Sequence, residues 1–253
     1  MFMPGIKSVF KCPEKYKDIF KNSTCLLTIS VGQEIHEGEK FLSTIRLVNS
    51  AFKNCVILVG DSLQRHAMSI ADRESSNEFY KYSLLEGDWW LERNKEYYSQ
   101  LTIPYHIIRW DYWLAHGEYQ HFYSKICESY SEDPGYKSAF QKTIDEFLIR
   151  YRRRLNSSQR LNEEKAADVC LEYLKEECAA LCLWVEGGFH FEVYPSQRNL
   201  AMAATHEKFV KPFYPDLLLP VAIKFKNRKQ LNPQVFHFNE KNTPYLLPAE
   251  IHP

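Results

Sequence analysis

The feature that most narrows the fold is the run Cys55-Val56-Ile57-Leu58-Val59, closed at once by Gly60-Asp61. An unbroken apolar run this short fits a strand covered on both faces, because a strand with one wet face would alternate apolar and polar residues. Cys25–Ile29 also reads as a short buried strand, and between the two runs Phe41, Ile45, Val48 and Phe52 fall at helical spacing. The first sixty residues therefore describe a strand, a helix and a second strand, and a crossover of that length joins parallel strands right-handedly. Further strands are expected at Tyr105–Trp110, at Phe189–Tyr194, where Pro195 ends the run, and at Val221–Phe225, with helical patterns between them. The expected class is α/β: a Rossmann-like open, mostly parallel sheet of about five strands with helices on both faces. In such sheets a ligand binds beyond the carboxyl ends of the strands, where Ser30, Asp61 and Tyr194 each fall.

The chain has 253 residues, and no repeat, low-complexity tract or Gly/Ser linker divides them, so one domain over 1–253 is expected. Lys plus Arg balance Asp plus Glu at 32 each, which leaves no global field toward nucleic acid or an anionic membrane; a polyanion site must be a local patch. The seven cysteines are odd in number and several sit inside apolar runs, which points to reduced thiols in a cytoplasmic compartment. Cys178 and Cys182 lie one helical turn apart but nothing nearby completes a metal-ligand set, so no metal is expected. The opening residues lack the apolar core of a secretory signal, and no stretch reaches the roughly 18 apolar residues of a membrane span. No Gly-x-x-x-x-Gly-Lys loop accompanies Asp61 and no Gly-x-Gly-x-x-Gly follows a strand, which argues against ATP and dinucleotides as cofactors.

Chemistry-bearing residues emerge from periodicity. The helix expected after Asn162, a possible cap, puts Lys165, Asp168, Glu172, Lys175 and Glu176 on a solvated face and Val169, Cys170, Tyr173, Ala180 and Leu181 on the inward one. Glu177 joins the inward stripe, four residues from Tyr173. An inward carboxylate is costly without a cation or donors, so Glu177 either pairs with a buried arginine or lines a pocket for a substrate ammonium. Ser30, at the end of a buried strand, half-resembles a nucleophile elbow in Thr28-Ile29-Ser30-Val31-Gly32, but it lacks the first glycine and has no obvious histidine base. A turn or capping serine is the plainer reading. Arg150, Arg152, Arg153 and Arg154 end a helical pattern, as a dipole-complementing terminus or as a phosphate-binding patch.

Together, Thr28-Ile29-Ser30-Val31-Gly32-Gln33 after a strand, Tyr173-Leu174-Lys175-Glu176-Glu177 on a later helix, and Tyr194-Pro195 after another strand resemble the tRNA-dependent cyclodipeptide synthases. The resemblance runs over roughly residues 20–225 and implies a fold similar to the catalytic domains of class I tyrosyl- and tryptophanyl-tRNA synthetases, without ATP because the substrates arrive activated. Gln33 and Pro195 stand where the better-known branch has Asn and His, which is similar to a Tyr-Pro branch. By this resemblance Ser30 Oγ takes an aminoacyl group from one aminoacyl-tRNA, the amine of a second aminoacyl-tRNA attacks that acyl group, and a dipeptidyl-enzyme cyclises to a diketopiperazine. Tyr173, Glu177 and Tyr194 are implied to be catalytic. Gln33, Leu58, Asp61, Tyr136, Ala180, Val193 and Pro195 are implied to bind the aminoacyl groups. The tRNA is expected on Arg93 and Lys95 or, since that stretch is mixed in charge, on Arg150, Arg152, Arg153 and Arg154. The partners implied are two aminoacyl-tRNAs and no DNA, acting on a monomer. A serine esterase of α/β type and a catalytically silent tRNA-binding module are the competing readings.

Overall fold

In a computed structural model, which describes residues 6–71, 76–153 and 162–226, six strands form one sheet. They are β1 (Lys7–Lys11), β2 (Thr24–Ser30), β3 (Asn54–Gly60), β4 (Tyr105–Arg109), β5 (Phe191–Tyr194) and β6 (Leu219–Lys226), in the spatial order β1-β6-β5-β2-β3-β4. Every neighbouring pair is parallel except β1 with β6. The expected α/β class holds, with one strand more than foreseen. That strand, Lys7-Ser8-Val9-Phe10-Lys11, lies at the sheet edge with a lysine at each end; edge strands are kept polar in this way, which removes the apolar run that would announce them.

The helices are α1 (Gly38–Ala51), α2 (Arg65–Ala71), α3 (Ser76–Tyr98), α4 (Asp111–Leu114), α5 (Tyr119–Glu132), α6 (Pro134–Arg152), α7 (Glu163–Leu183) and α8 (Leu200–Thr205). Side chains alternate across the sheet, so Cys25, Leu27 and Ile29 of β2 pack with Phe41, Ile45 and Val48 of α1 and with Trp90 of α3. Leu26 and Leu58 face the other way, into a core built by α5, α6 and α7. The second half of α7 is enclosed almost all round, from Cys178 to Leu183, which its small side chains permit. Asn162 caps α7 as its position suggested, its Oδ1 accepting from Lys165 N at 3.1 Å. All seven cysteines are free thiols. Among the described residues no helix is long and apolar enough to cross a membrane.

Strand order locates the site. From β2 the chain builds outward through β3 and β4 on one side and later through β5 and β6 on the other, so the direction of winding reverses between β2 and β5. A parallel sheet opens a crevice at the carboxyl ends of the two strands that flank such a reversal. Those ends are Ser30 and Tyr194.

Candidate active site

Ser30 shares the parity of Leu26 and Thr28, so its side chain leaves the sheet on the α7 side. The turn behind it is closed by Gln33 N donating to Ser30 O at 3.3 Å, and Gly32 sits there at φ 82°, a left-handed conformation that a side chain would strain. Ser30 Oγ lies 3.1 Å from Tyr194 Oη across the β2–β5 crevice. Both residues are half-buried, sheltered yet reachable. Burial raises the Tyr194 pKa and the bond to Ser30 opposes it, the balance leaving the phenol protonated at neutral pH. A neutral hydroxyl can take a proton from one oxygen while giving its own to another.

Tyr173 and Glu177 come up from α7, one turn apart and both half-buried. The Gln64 side chain hydrogen-bonds the Tyr173 hydroxyl, and burial followed by the charge of Glu177 holds that phenol well above its ordinary pKa. Among the described residues no arginine binds the Glu177 carboxylate; its partner is Asn199 Nδ2, 3.2 Å from Oε2. Burial pushes Glu177 up to about 7, Glu192 and Glu176 add to it, and Asn199 and Arg198 oppose. The carboxylate therefore changes protonation near neutrality, where it can hold an ammonium or accept its proton. Tyr194 is bonded to Ser30 and feels the charge of Glu177, while Tyr173 feels both Glu177 and Tyr194, which places all four predicted catalytic residues in one neighbourhood.

The other expected site residues divide. Gln33 and Pro195 are half-buried beside Ser30 and Tyr194 in the chain. Leu58, Ala180 and Val193 are enclosed in the cores, and Val193 points to the opposite sheet face from Leu58, so those three cannot line one pocket. Asp61 is fully buried, accepting from Ser62 N at 2.8 Å and ion-paired with Arg109; its carboxylate organises the β3 end rather than meeting substrate. Tyr136 is a core residue at the start of α6, with its hydroxyl 2.7 Å from Thr205 Oγ1 and its ring against Phe140. Arg93 is exposed and pairs with Glu37 at 3.1 Å, and Lys95 is exposed on the same helix. Arg150, Arg152 and Arg153 are exposed at the end of α6, Arg152 being paired with Glu163 at 2.7 Å. Arg154 and Leu155, with the polar break that follows as far as residue 161, lie outside the described residues.

Glu176 corrects the helical-wheel reading. Expected on the solvated face of α7, it is 4% exposed, covered by α2 and by Trp110. Arg65 Nη1 donates to Oε1 at 2.9 Å, Arg65 Nη2 binds Oε2, His66 Nε2 lies 3.1 Å from Oε2, and Trp110 Nε1 donates to Oε1 at 2.9 Å. Burial alone would raise this carboxyl, but His66 and Arg65 outweigh it and hold the group below the ordinary range. A cleft of about 240 Å3 between α2, α5 and α7 is lined by Arg65, His66, Tyr119, Tyr123, Glu172 and Glu176, and His66 also meets the Tyr173 ring edge-on at 6.2 Å.

Three further residues were not singled out from sequence. His36 is enclosed at 1% exposure with its ring 5.3 Å from that of Tyr194, and burial lowers its pKa to about 3, so a neutral imidazole backs the phenol. Arg198 binds Glu192 within the interior, and Asn199 holds Glu177. Both lie in the loop just after Tyr194-Pro195, and only that proximity could have marked them.

No family model matches the chain, and no curated protein does. Solved structures do match. A cyclodipeptide synthase from Fluoribacter dumoffii is 44% identical with a TM-score of 0.84, over 88% of this chain and 100% of that one. A cyclodipeptide synthase from Candidatus Glomeribacter gigasporarum, solved bound to Phe-tRNAPhe, is 16% identical with a TM-score of 0.66, over 87% of this chain and 93% of that one. A Mycobacterium tuberculosis protein described as showing that cyclodipeptide synthetases are related to type I tRNA synthetases has a TM-score of 0.61 at 10% identity, over 89% of this chain and 96% of that one. The two distant matches carry the fold, whereas 44% identity over the whole of the Fluoribacter protein carries kinship: the chain belongs to the cyclodipeptide synthases, a family of aminoacyltransferase enzymes.

Proposed function

We propose that this enzyme joins the aminoacyl groups of two aminoacyl-tRNAs into a diketopiperazine through esters on Ser30. The observation that carries the reading is the 3.1 Å contact between Ser30 Oγ and Tyr194 Oη at the sheet reversal, beside a carboxyl that titrates near neutrality. In the first transfer Ser30 Oγ attacks the ester carbonyl of one aminoacyl-tRNA; the serine proton passes to Tyr194 as that phenol protonates the departing ribose oxygen. An ester substrate is already an activated acyl donor, so positioning and a proton relay suffice where an amide would need a stronger base.

Atom balance decides the second transfer. Were the amine of the second aminoacyl-tRNA to attack the Ser30 ester, Ser30 would be freed at once and the dipeptide left on tRNA. Attack by the amine already held on Ser30 upon the second ester carbonyl forms the C–N bond, expels the second tRNA and keeps the dipeptide on the enzyme. Its new terminal amine then attacks the Ser30 ester carbonyl, closing the six-membered ring and returning the oxygen to serine. Each attacking ammonium must first lose a proton, which Glu177 accepts, with Tyr173 as its neighbouring anchor.

Gln33 and Pro195 support a reading of the chain as one of the Tyr-Pro branch, where neither an asparagine amide nor an imidazole is present at those positions to hold the second aminoacyl group. The exposed Arg150 and Arg153 receive the tRNA phosphates; the charge of Arg150 is felt at Tyr194, which ties that surface to the crevice. A serine esterase would need a histidine base, and the recorded side-chain partner of Ser30 is a tyrosine.

Incubation with radiolabelled aminoacyl-tRNA is expected to leave acid-stable label on the wild type and none on Ser30→Ala, and expressing cultures should contain a diketopiperazine mass. Equal labelling of both proteins removes Ser30 from the chemistry.

A further inference from the structure

We infer that Asn199 is a positioning residue for Glu177, its side-chain amide fixing the carboxylate for the amine-handling steps. The inference rests on the proposed role of Glu177.

Asn199 makes two bonds with the two ends of one amide. Its Oδ1 accepts from Met202 N at 2.8 Å, the ordinary cap of a helix, here α8. That bond points Nδ2 the other way, and Nδ2 donates to Glu177 Oε2 at 3.2 Å. A cap needs only the acceptor, which Ser or Asp supplies as well as Asn does. The donor is the part of Asn199 that a capping role leaves unexplained.

The loop that carries Asn199 is itself fixed. Arg198 donates from Nε to Glu192 Oε2 at 2.8 Å, binds the same oxygen through Nη2, and donates to Leu218 O at 2.8 Å; the arginine and glutamate side chains are both almost wholly buried. Leu218 holds φ at 53°, a costly value for a branched side chain, and its carbonyl is one of the groups that anchor Arg198. On the far side of Asn199, Ala201 N donates to Thr143 Oγ1 at 3.2 Å. The amide is thus held from both directions before any substrate arrives, as a group that orients a catalytic carboxylate must be.

The charges around Glu177 make the donor matter. Tyr173, Glu176, Cys170 and Cys178 approach it from its own helix and Glu192 and Tyr194 from β5, all of which disfavour a negative carboxylate or are disfavoured by it; Arg198 opposes them from the loop, and Arg150 of α6 acts on Tyr194 and Cys170. Among the described residues, Asn199 is the hydrogen-bond donor to the Glu177 side chain. Removing that donor raises the pH at which Glu177 becomes a base and frees its orientation.

Asn199→Ser and Asn199→Asp separate the two roles, since both keep an N-cap acceptor and neither keeps the amide donor. The full chain is assayed with purified aminoacyl-tRNAs, following diketopiperazine by mass spectrometry against pH, together with thermal melts. The expected result is a melting temperature close to wild type in both variants, kcat lowered by about tenfold or more, and an acid limb displaced upward by roughly one pH unit, further in Asn199→Asp, whose carboxylate adds like charge. Wild-type kcat and pH profile in either variant overturns the inference, and so does loss of the fold in both, since capping would then account for Asn199. Glu177→Gln runs alongside: full activity there fails the reading of Glu177 itself, whereas an inactive Glu177→Gln beside unperturbed Asn199 variants fails this inference alone.

Discussion

Replacing Glu177 by Gln should stabilise the protein above neutral pH and leave its stability unchanged in acid. The carboxyl titrates at about 7 in the folded chain against an ordinary value of 4.5. At about 1.4 kcal/mol per pH unit, that gap amounts to roughly 3 kcal/mol, an upper bound because the side chain is half-buried and water can relax around it. The sign follows from proton counting: between 4.5 and about 7 the folded state holds a proton that the unfolded state has shed, so stability falls as pH rises through that window and the full cost stands above it. Gln is nearly isosteric, stays neutral throughout, and keeps an oxygen to accept from Asn199 Nδ2. Urea titrations at pH 4 and pH 8 should give a mutant-minus-wild-type difference near zero at the first and about 2–3 kcal/mol in favour of the mutant at the second. In a thermal melt at pH 8 the same gain is roughly 5 °C. Subtracting the wild type cancels the titrating groups that do not interact with Glu177. A difference of the same size at both pH values would refute the reasoning, because it would mean that the interior does not disfavour the charge of this carboxylate.

Glu176→Gln should do the reverse, losing about 2–4 kcal/mol at pH 7 because it breaks an ion pair in the interior, with the loss shrinking as acid protonates the wild-type carboxyl, which its cationic partners hold below the ordinary carboxylate range; urea midpoints at neutral and acidic pH test it. Gly87→Ala should lower the urea midpoint by the equivalent of about 1–3 kcal/mol, since a methyl there would overlap the Asp61 carboxylate and crowd Arg109 at 2.7 Å, and an unchanged midpoint would mean that the Asp61–Arg109 pair moves aside freely. Arg150→Glu with Arg153→Glu should weaken product formation more at low salt than at high and flatten the salt dependence, while identical salt curves would exclude this surface from tRNA binding.

The sheet was legible because β2 and β3 are covered on both faces and carry apolar runs, Cys55–Val59 unbroken and Cys25–Ile29 interrupted by Thr28 alone; Val221–Phe225, which includes the exposed Lys224, also falls inside an observed strand. Edge strand β1 was not, since lysines at both ends disguise it. Ser30 and Tyr194 were legible as strand ends, and strand order then shows why those two ends meet: they flank the reversal of winding, a property of the whole topology rather than of either segment. Lining residues fared worse. Leu58, Val193 and Asp61 lie near the right strand ends, but which sheet face Val193 chooses and whether Asp61 is already paired with Arg109 depend on neighbours distant in sequence. Asn199 was marked only by its nearness to Tyr194-Pro195 and His36 by nothing, because what each touches, Glu177 and Tyr194, is decided by tertiary contacts.

Glu176 and Glu177 show how far such contacts decide chemistry. The two are adjacent on one helix, identical in type, and both withdrawn from solvent. One meets Arg65, His66 and Trp110 and is held charged; the other accepts from a single amide, feels two like charges against the one cation Arg198, and is held at the edge of ionisation. A carboxylate saturated with cationic donors has no capacity left for a substrate amine, whereas one left under-compensated binds an ammonium more strongly, because the incoming cation supplies what the protein withheld. Buried charge without a full set of partners costs stability, and the place where a fold retains that cost is where an incoming ligand can relieve it. By that argument the residue poorer in partners is the one aimed at the amine, and the opposite pH dependences predicted for the two Gln variants measure that distinction without any substrate present.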